Sequence, residues 1–170
     1  MPRSNALRVA ARIERGAPMR PFAESLPMAL LRAREAVMRR FRPGLRAHDV
    51  TEQQWRVLRA LSGIGPLEIS ELAARTCLLL PSLSRILPVL ESRGLLVRRA
   101  VASDMRRTEV SVTAAGLELI AAHAPQSERI YRGIEERYGA ERLRQLSRLL
   151  AELEGALSPP EAGAGAGRQK

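Results

Sequence analysis

Residues 66–113 read PLEISELAARTCLLLPSLSRILPVLESRGLLVRRAVASDMRRTEVSVT, and the order of apolar period, turn and breaker in this stretch decides the fold. Ile69, Leu72 and Ala73 fall on one face of a short helix that stops near Thr76–Cys77. Leu83, Ile86, Leu87 and Leu90 then follow the i, i+3, i+4, i+7 rule, with Pro81 where a first helical turn tolerates it and Gly94 just past the end. Leu95–Arg99 and Thr108–Val112 are predicted short strands, and Ala100–Arg107 (AVASDMRR) is the loop between them. Helix, turn, helix, hairpin is the order of a winged helix-turn-helix unit, and the expectation is a DNA reader. Ser82, Ser84 and Arg85 lie at the exposed N-terminal end of the second helix, where side chains reach base edges and free N–H groups meet a phosphate. Pro88 cannot bond the carbonyl of Ser84 and costs about 3 kcal/mol in a helix interior, so a kink or an early end is expected there.

The charge supports this placement more by its distribution than by its total. The chain carries a net charge of +10, nearly all of it arginine, with Lys170 the only lysine. Such usage also follows from codon bias, so the sum alone decides little. Residues 85–107, however, hold arginines 85, 93, 98, 99, 106 and 107 against Glu91 and Asp104, whereas the charges over 126–157 balance. Attraction to phosphate is therefore expected at the hairpin. In the wing, Arg106 and Arg107 are expected to meet phosphate or the minor groove, and Asp104 to hydrogen-bond the turn and orient Arg106.

Working outward, residues 1–24 read as a mobile basic arm with at most one short helix. A long helix of about five turns begins at Ser25, with Leu30, Ala33, Val37, Phe41 and Leu45 on one face and a bend expected at Pro43–Gly44. Thr51–Gln54 has the capping-box pattern, so another helix starts at Glu52, with Trp55, Leu58 and Leu61 as its buried stripe. After the hairpin, Thr113 is the N-cap of a helix whose face is Leu117, Ile120, Ala121 and Ala124, extended by Ile130, Ile134 and Tyr138 beyond Pro125. A final helix places Leu143, Leu146, Leu150, Leu153 and Leu157 at alternating spacings of three and four, a coiled-coil-like seam. Too little domain lies between the terminal helices to cover them, so a homodimer is expected. Residues 158–170 read as a disordered tail. The fold class is mainly α with a small β-hairpin wing: a reading head at about 51–113, with dimerisation helices at about 25–48 and 114–157.

Several classes are excluded. With 3% aromatics the core is aliphatic. No run approaches the roughly 18 apolar residues of a membrane span, and the N-terminus lacks a signal peptide's apolar centre, so a cytoplasmic chain with no membrane partner is expected. One cysteine and two isolated histidines, His48 and His123, give no disulfide, no metal-ligand spacing and no expected metal or cofactor. No nucleophile elbow or phosphate loop is present, and no catalytic residue is assigned.

Leu72-Ala73, Ser82-x-Ser84-Arg85, Leu90-Glu91-x-Arg93-Gly94-Leu95, Asp104-x-Arg106-Arg107 and Val110-x-Val112-Thr113-x-x-Gly116 in this order resemble the MarR family of dimeric winged-helix transcription regulators, over residues 25–157. Within it, ARTCLLLPSLSRIL, RAREAVMRRFRP and TEQQWRVLRAL are similar to regulators of homoprotocatechuate (hydroxyphenylacetate) degradation operons. The resemblance implies a homodimer on a palindromic operator in double-stranded DNA, a repressor released by a small aromatic carboxylate. It makes Ser82, Ser84 and Arg85 base readers, with Asp104, Arg106 and Arg107 in the wing. Pro88 and Val89 depart from the polar or basic residues usual in relatives. An aromatic acid needs a cation and an apolar wall, and Arg34, Met38, Arg46, His48 and Trp55 are the residues offered; core for Trp55 and plain surface for the arginines is the competing reading. Two other functions stay open: a redox sensor at Cys77, set against a small buried cysteine, and a winged-helix protein-interaction adaptor.

Overall fold

The structure, a computed structural model, describes residues 20–101 and 104–158, leaving aside the side chains of 101 and 104–106. Most of the expected basic arm (1–19), the tail from 159 onward and the side chains of Asp104 and Arg106 therefore lie outside the described residues.

After a 3-10 turn at Phe22–Glu24, α1 runs over Leu26–Ala47 with Pro27 in its first turn, and continues through Pro43. The helix α2, Glu52–Ile64, starts where the capping box places it: the Gln54 N–H donates to Thr51 Oγ1 at 3.2 Å and the Thr51 N–H to Gln54 Oε1 at 2.9 Å. Strand β1, Leu67–Glu68, leads into α3, Ile69–Thr76, and α4, Leu80–Ser92. Strands β2, Leu96–Val101, and β3, Asp104–Val112, form the wing, followed by α5, Ala114–Tyr138, and α6, Ala140–Leu157. The antiparallel sheet has the order β1-β3-β2.

The core fills the space between α2, α3, α4 and the sheet. Val57, Leu58, Leu72, Leu83, Leu87, Leu90 and Val110 are fully buried there, and Ile120 reaches it from α5. Thr113 caps α5 by accepting from the Gly116 N–H at 3.2 Å, while its hydroxyl donates to the Gly94 carbonyl at 2.6 Å. Gly116 itself passes so close to the wing that a Cβ would stand 2.3 Å from the Leu95 carbonyl oxygen. Gly44 does the same where α1 crosses α5: a Cβ there would meet Gln126 at 2.5 Å and the His123 ring at 2.7 Å. Among the described residues no single helix is long and apolar enough to cross a membrane.

Several expectations are corrected. The wing's strands reach further than expected: Val101 pairs with Asp104, past a register shift at Ala100/Val101, because ladder pairing overrides the weak β-propensity of Ala100 and Asp104. Asp104, Arg106 and Arg107 thus belong to β3. The two-residue β1, too short to show a period, was not expected. Pro88 neither ends α4 nor interrupts its helical run; Pro88 and Ser84 both lie on the exposed side of the helix, where the carbonyl that loses the Pro88 N–H costs least. The inward face of α5 is Gly116, Ile120 and His123 rather than Leu117, Ala121 and Ala124, all of which are exposed, and Pro125 does not break the helix. Finally Cys77 is exposed: it takes the left-handed conformation (φ 50°) that ends α3, and burial falls on its neighbours Thr76 and Leu78.

Candidate DNA-reading surface and ligand pocket

The first turn of α4 faces solvent. Ser84 and Arg85 are exposed and Ser82 half-buried. The Ser84 hydroxyl donates to the Leu80 carbonyl at 3.0 Å and Arg85 Nε to the Pro81 carbonyl at 3.3 Å. These bonds fold both side chains against their own turn, and among the described residues the terminal guanidinium nitrogens of exposed Arg85 have no hydrogen-bond partner. The backbone offers less than expected: Pro81 has no N–H, and those of Ser82 and Leu83 both donate to the Leu79 carbonyl. Leu79 and Leu80 stand exposed at the same corner.

The arginines around this turn sort by their partners. Arg98 clasps Glu91 (Nε to Oε2 2.8 Å, Nη2 to Oε2 2.5 Å), and its backbone N–H donates to Oε1 at 3.1 Å, tying α4 to β2. The Arg98 hydrogen bond holds the Glu91 carboxyl below its usual pKa. Arg107 pairs with Glu68 and so braces β3 to β1. Arg93 donates to the Asp49 carbonyl at 2.5 Å and the His48 carbonyl at 3.2 Å, joining the end of α4 to the α1–α2 turn. Among the described residues Arg85 and Arg99 have no carboxylate partner.

Between α1, α2 and α5 lies a cavity of about 280 Å³. Phe41, Leu45, Trp55 and Met38 wall it; Arg59, Ser127, Glu128 and Tyr131 are its polar lining residues. The Phe41 and Tyr131 rings meet edge to face with centroids 5.3 Å apart. Behind Trp55 stands His123, buried, with ring centroids 4.7 Å from Trp55 and 5.5 Å from His48. Among the described residues neither His123 nitrogen has a hydrogen-bond partner, and burial, with His48 adding to it, lowers its pKa below the usual histidine value.

Of the five residues offered by sequence for an aromatic acid, Met38 and Trp55 line this cavity and His48 backs it through His123. Arg34 is turned away into pairs with Glu35 (3.0 Å) and Glu52 (2.6 Å), in a neighbouring cleft. Arg46 lines a separate groove with Arg42 and Val50. Burial works against the Glu52 charge, yet hydrogen bonds from Arg42 and Arg34 hold its pKa below the usual range. Sequence reasoning missed Arg59, Tyr131 and His123. Arg59 follows Trp55 at i+4 and was legible by helical spacing; Tyr131 depends on how α5 crosses α1 and was not.

A helix-turn-helix with an open second-helix end, a β-wing beside it and long terminal helices defines a winged-helix regulator. The chain belongs to the MarR family, whose model matches residues 48–107. It is similar to the homoprotocatechuate degradative operon repressor of Escherichia coli, at 43% identity over 129 residues, 76% of this chain and 87% of that protein. Among solved structures it resembles the transcriptional regulator PA4135 (TM-score 0.78, 42% identity, covering 82% of this chain and 100% of that one). It also resembles NadR in complex with 4-hydroxyphenylacetate (TM-score 0.70, 40% identity, 81% and 97%).

Proposed function

We propose that the chain is a homodimeric repressor of an aromatic-acid degradation operon, released from its operator by a small phenolic acid such as a hydroxyphenylacetate. The observation that carries this reading is the α1–α2–α5 cavity. Its volume is at the small end for ligand pockets, suited to one ring with a short acidic side chain. Trp55 and Phe41 supply the ring's walls, Arg59 a guanidinium for the carboxylate, and Tyr131 a hydroxyl for a phenol. The relatives named above support the ligand class.

Dimerisation is supported by what a single chain leaves uncovered. No residue of α6 is buried, and Leu146, Leu149, Leu150 and Leu157 are exposed, as are Leu26, Leu30, Leu31 and Val37 on α1. On duplex DNA, Ser82, Ser84 and Arg85 read bases in the major groove, while Arg106, oriented by Asp104, holds the wing to the phosphates and Arg107, paired with Glu68, braces the wing from within. Asp49 and His48, whose carbonyls Arg93 holds, connect the cavity to the end of α4 through the Trp55–His123–His48 ring stack. A ligand acts through this path only by binding one head spacing better than the other.

Trp55 is the single tryptophan, so its fluorescence reports the ligand directly. Titration with 4-hydroxyphenylacetate is expected to change it saturably, with the affinity reduced about tenfold or more in Arg59→Gln, the worth of one charge-assisted hydrogen bond. An unchanged spectrum overturns the ligand assignment.

A further inference from the structure

The entry of α4 carries two leucines that folding does not explain. Leu79, the N-cap, is 76% exposed, and Leu80, the first helical residue, 52%. The core beside them has taken Leu78 and Leu83 instead. An N-cap is normally Ser, Thr, Asp or Asn, whose side chain accepts from the first turn; leucine accepts nothing, and α4 has no side-chain cap. Backbone donors are scarce at the same place: Pro81 has no N–H, and the Ser82 N–H donates to the Leu79 carbonyl at 2.9 Å. A helix end that captures phosphate does so through free N–H groups, and this one has lost or spent them. The Ser84 hydroxyl and Arg85 Nε are turned back onto the Leu80 and Pro81 carbonyls. What this end offers a partner is chiefly a pair of isobutyl groups.

We propose that Leu79 and Leu80 are specificity-determining residues that read thymine, by seating its C5-methyl group in the major groove. The inference rests on α4 being the element that enters that groove, where the N-terminal residues of a recognition helix reach base edges. Of the groups that base pairs present there, the thymine methyl is the apolar one; the others are hydrogen-bond donors and acceptors. A leucine pressed onto a donor or acceptor strips its water and returns no partner. The same two side chains therefore favour thymine and disfavour its alternatives. Helical rise sets Leu80 about 7.5 Å before Arg85 along the axis, which is about two base-pair steps. Each half-site accordingly holds a thymine about two base pairs from the pair read by Arg85.

The test uses the full-length protein and a duplex recovered by selection from random DNA, with single thymines replaced by deoxyuridine. That replacement removes the C5-methyl and keeps the hydrogen-bonding edge. At one thymine per half-site, about two base pairs from the position whose preference Arg85→Ala relaxes, it is expected to raise Kd about three- to fivefold, the worth of one buried methyl group. Leu79→Ala and Leu80→Ala change exposed side chains and are expected to leave the fold intact. Combined in one chain, they are expected to bind the thymine and uracil duplexes alike. Equal binding of both duplexes by the unsubstituted protein overturns the proposal and leaves the leucines to a protein partner. So does a uracil penalty that persists in the doubly substituted chain, which would place the methyl's effect in the deformability of the DNA. Both of those outcomes leave α4 as the reading helix, whereas an unchanged base preference in Arg85→Ala removes that reading and this inference with it.

Discussion

At the scale of single residues, the arginines divide into those already spent within the fold and those left for a partner. Arg93, Arg98 and Arg107 are spent on carbonyls, Glu91 and Glu68. Arg85 is exposed and its terminal nitrogens have no partner among the described residues. Arg85→Ala is therefore expected to relax base preference at one position per half-site by about 1–3 kcal/mol, the worth of one bidentate base contact. Arg106→Ala is expected to weaken binding evenly across sequences and flatten the salt dependence. Identical effects of the two on every sequence would contradict the assignment. His123 sets a pH dependence. Its folded-state pKa is lowered, so as pH falls through about 6.5 the unfolded chain takes up a proton that the folded chain refuses. Stability is then lost toward acid and is unaffected by this group at higher pH. Thermal melts of His123→Gln are expected to lose that acid-side slope, with His48→Gln separating the neighbour's contribution; an unchanged slope in His123→Gln would remove the role.

At the scale of elements, the proposed coupling runs through the clasp between α4 and the α1–α2 turn. Arg93→Ala is expected to leave the Trp55 response to ligand intact while reducing the ligand's effect on operator affinity severalfold, because coupling is a separate free energy of about 1–3 kcal/mol. Loss of ligand binding itself in that variant would refute the path. The elements were largely legible: the capping box at Thr51, the stripe Leu83–Leu90 and the stop at Gly94 all stand where local chemistry puts them. Three things were not. Pro88 looked like a break because periodicity says nothing of whether the orphaned carbonyl meets solvent. The face of α5 slipped by a residue because its small alanines match the period of either face, and only the crossing at Gly44 selects His123 for the inside. The wing's length came from ladder pairing with β2. Met38 and Trp55, offered from sequence as an apolar wall for an aromatic ring, do line the cavity, whereas Arg34 is held in an ion pair that no spacing rule reveals.

At the scale of the whole molecule, most of the buried apolar core lies in the reading head, joined by Ile120 of α5, while apolar faces of α1 and α6 lie open. Leu150→Glu is expected to weaken self-association by about 3–5 kcal/mol, the cost of an uncompensated buried charge, and to abolish operator binding with it. A dimer of undiminished stability in sedimentation would place the interface elsewhere. The central claim, a paired reader released by a phenolic acid, is tested most directly by selecting bound sequences from random duplex DNA with and without 4-hydroxyphenylacetate. The account predicts a palindrome whose half-sites lie about 10 base pairs apart, or a multiple of that, recovered without the ligand and lost with it. Recovery of an unpaired half-site, or of the same palindrome at the same yield in both selections, would contradict it.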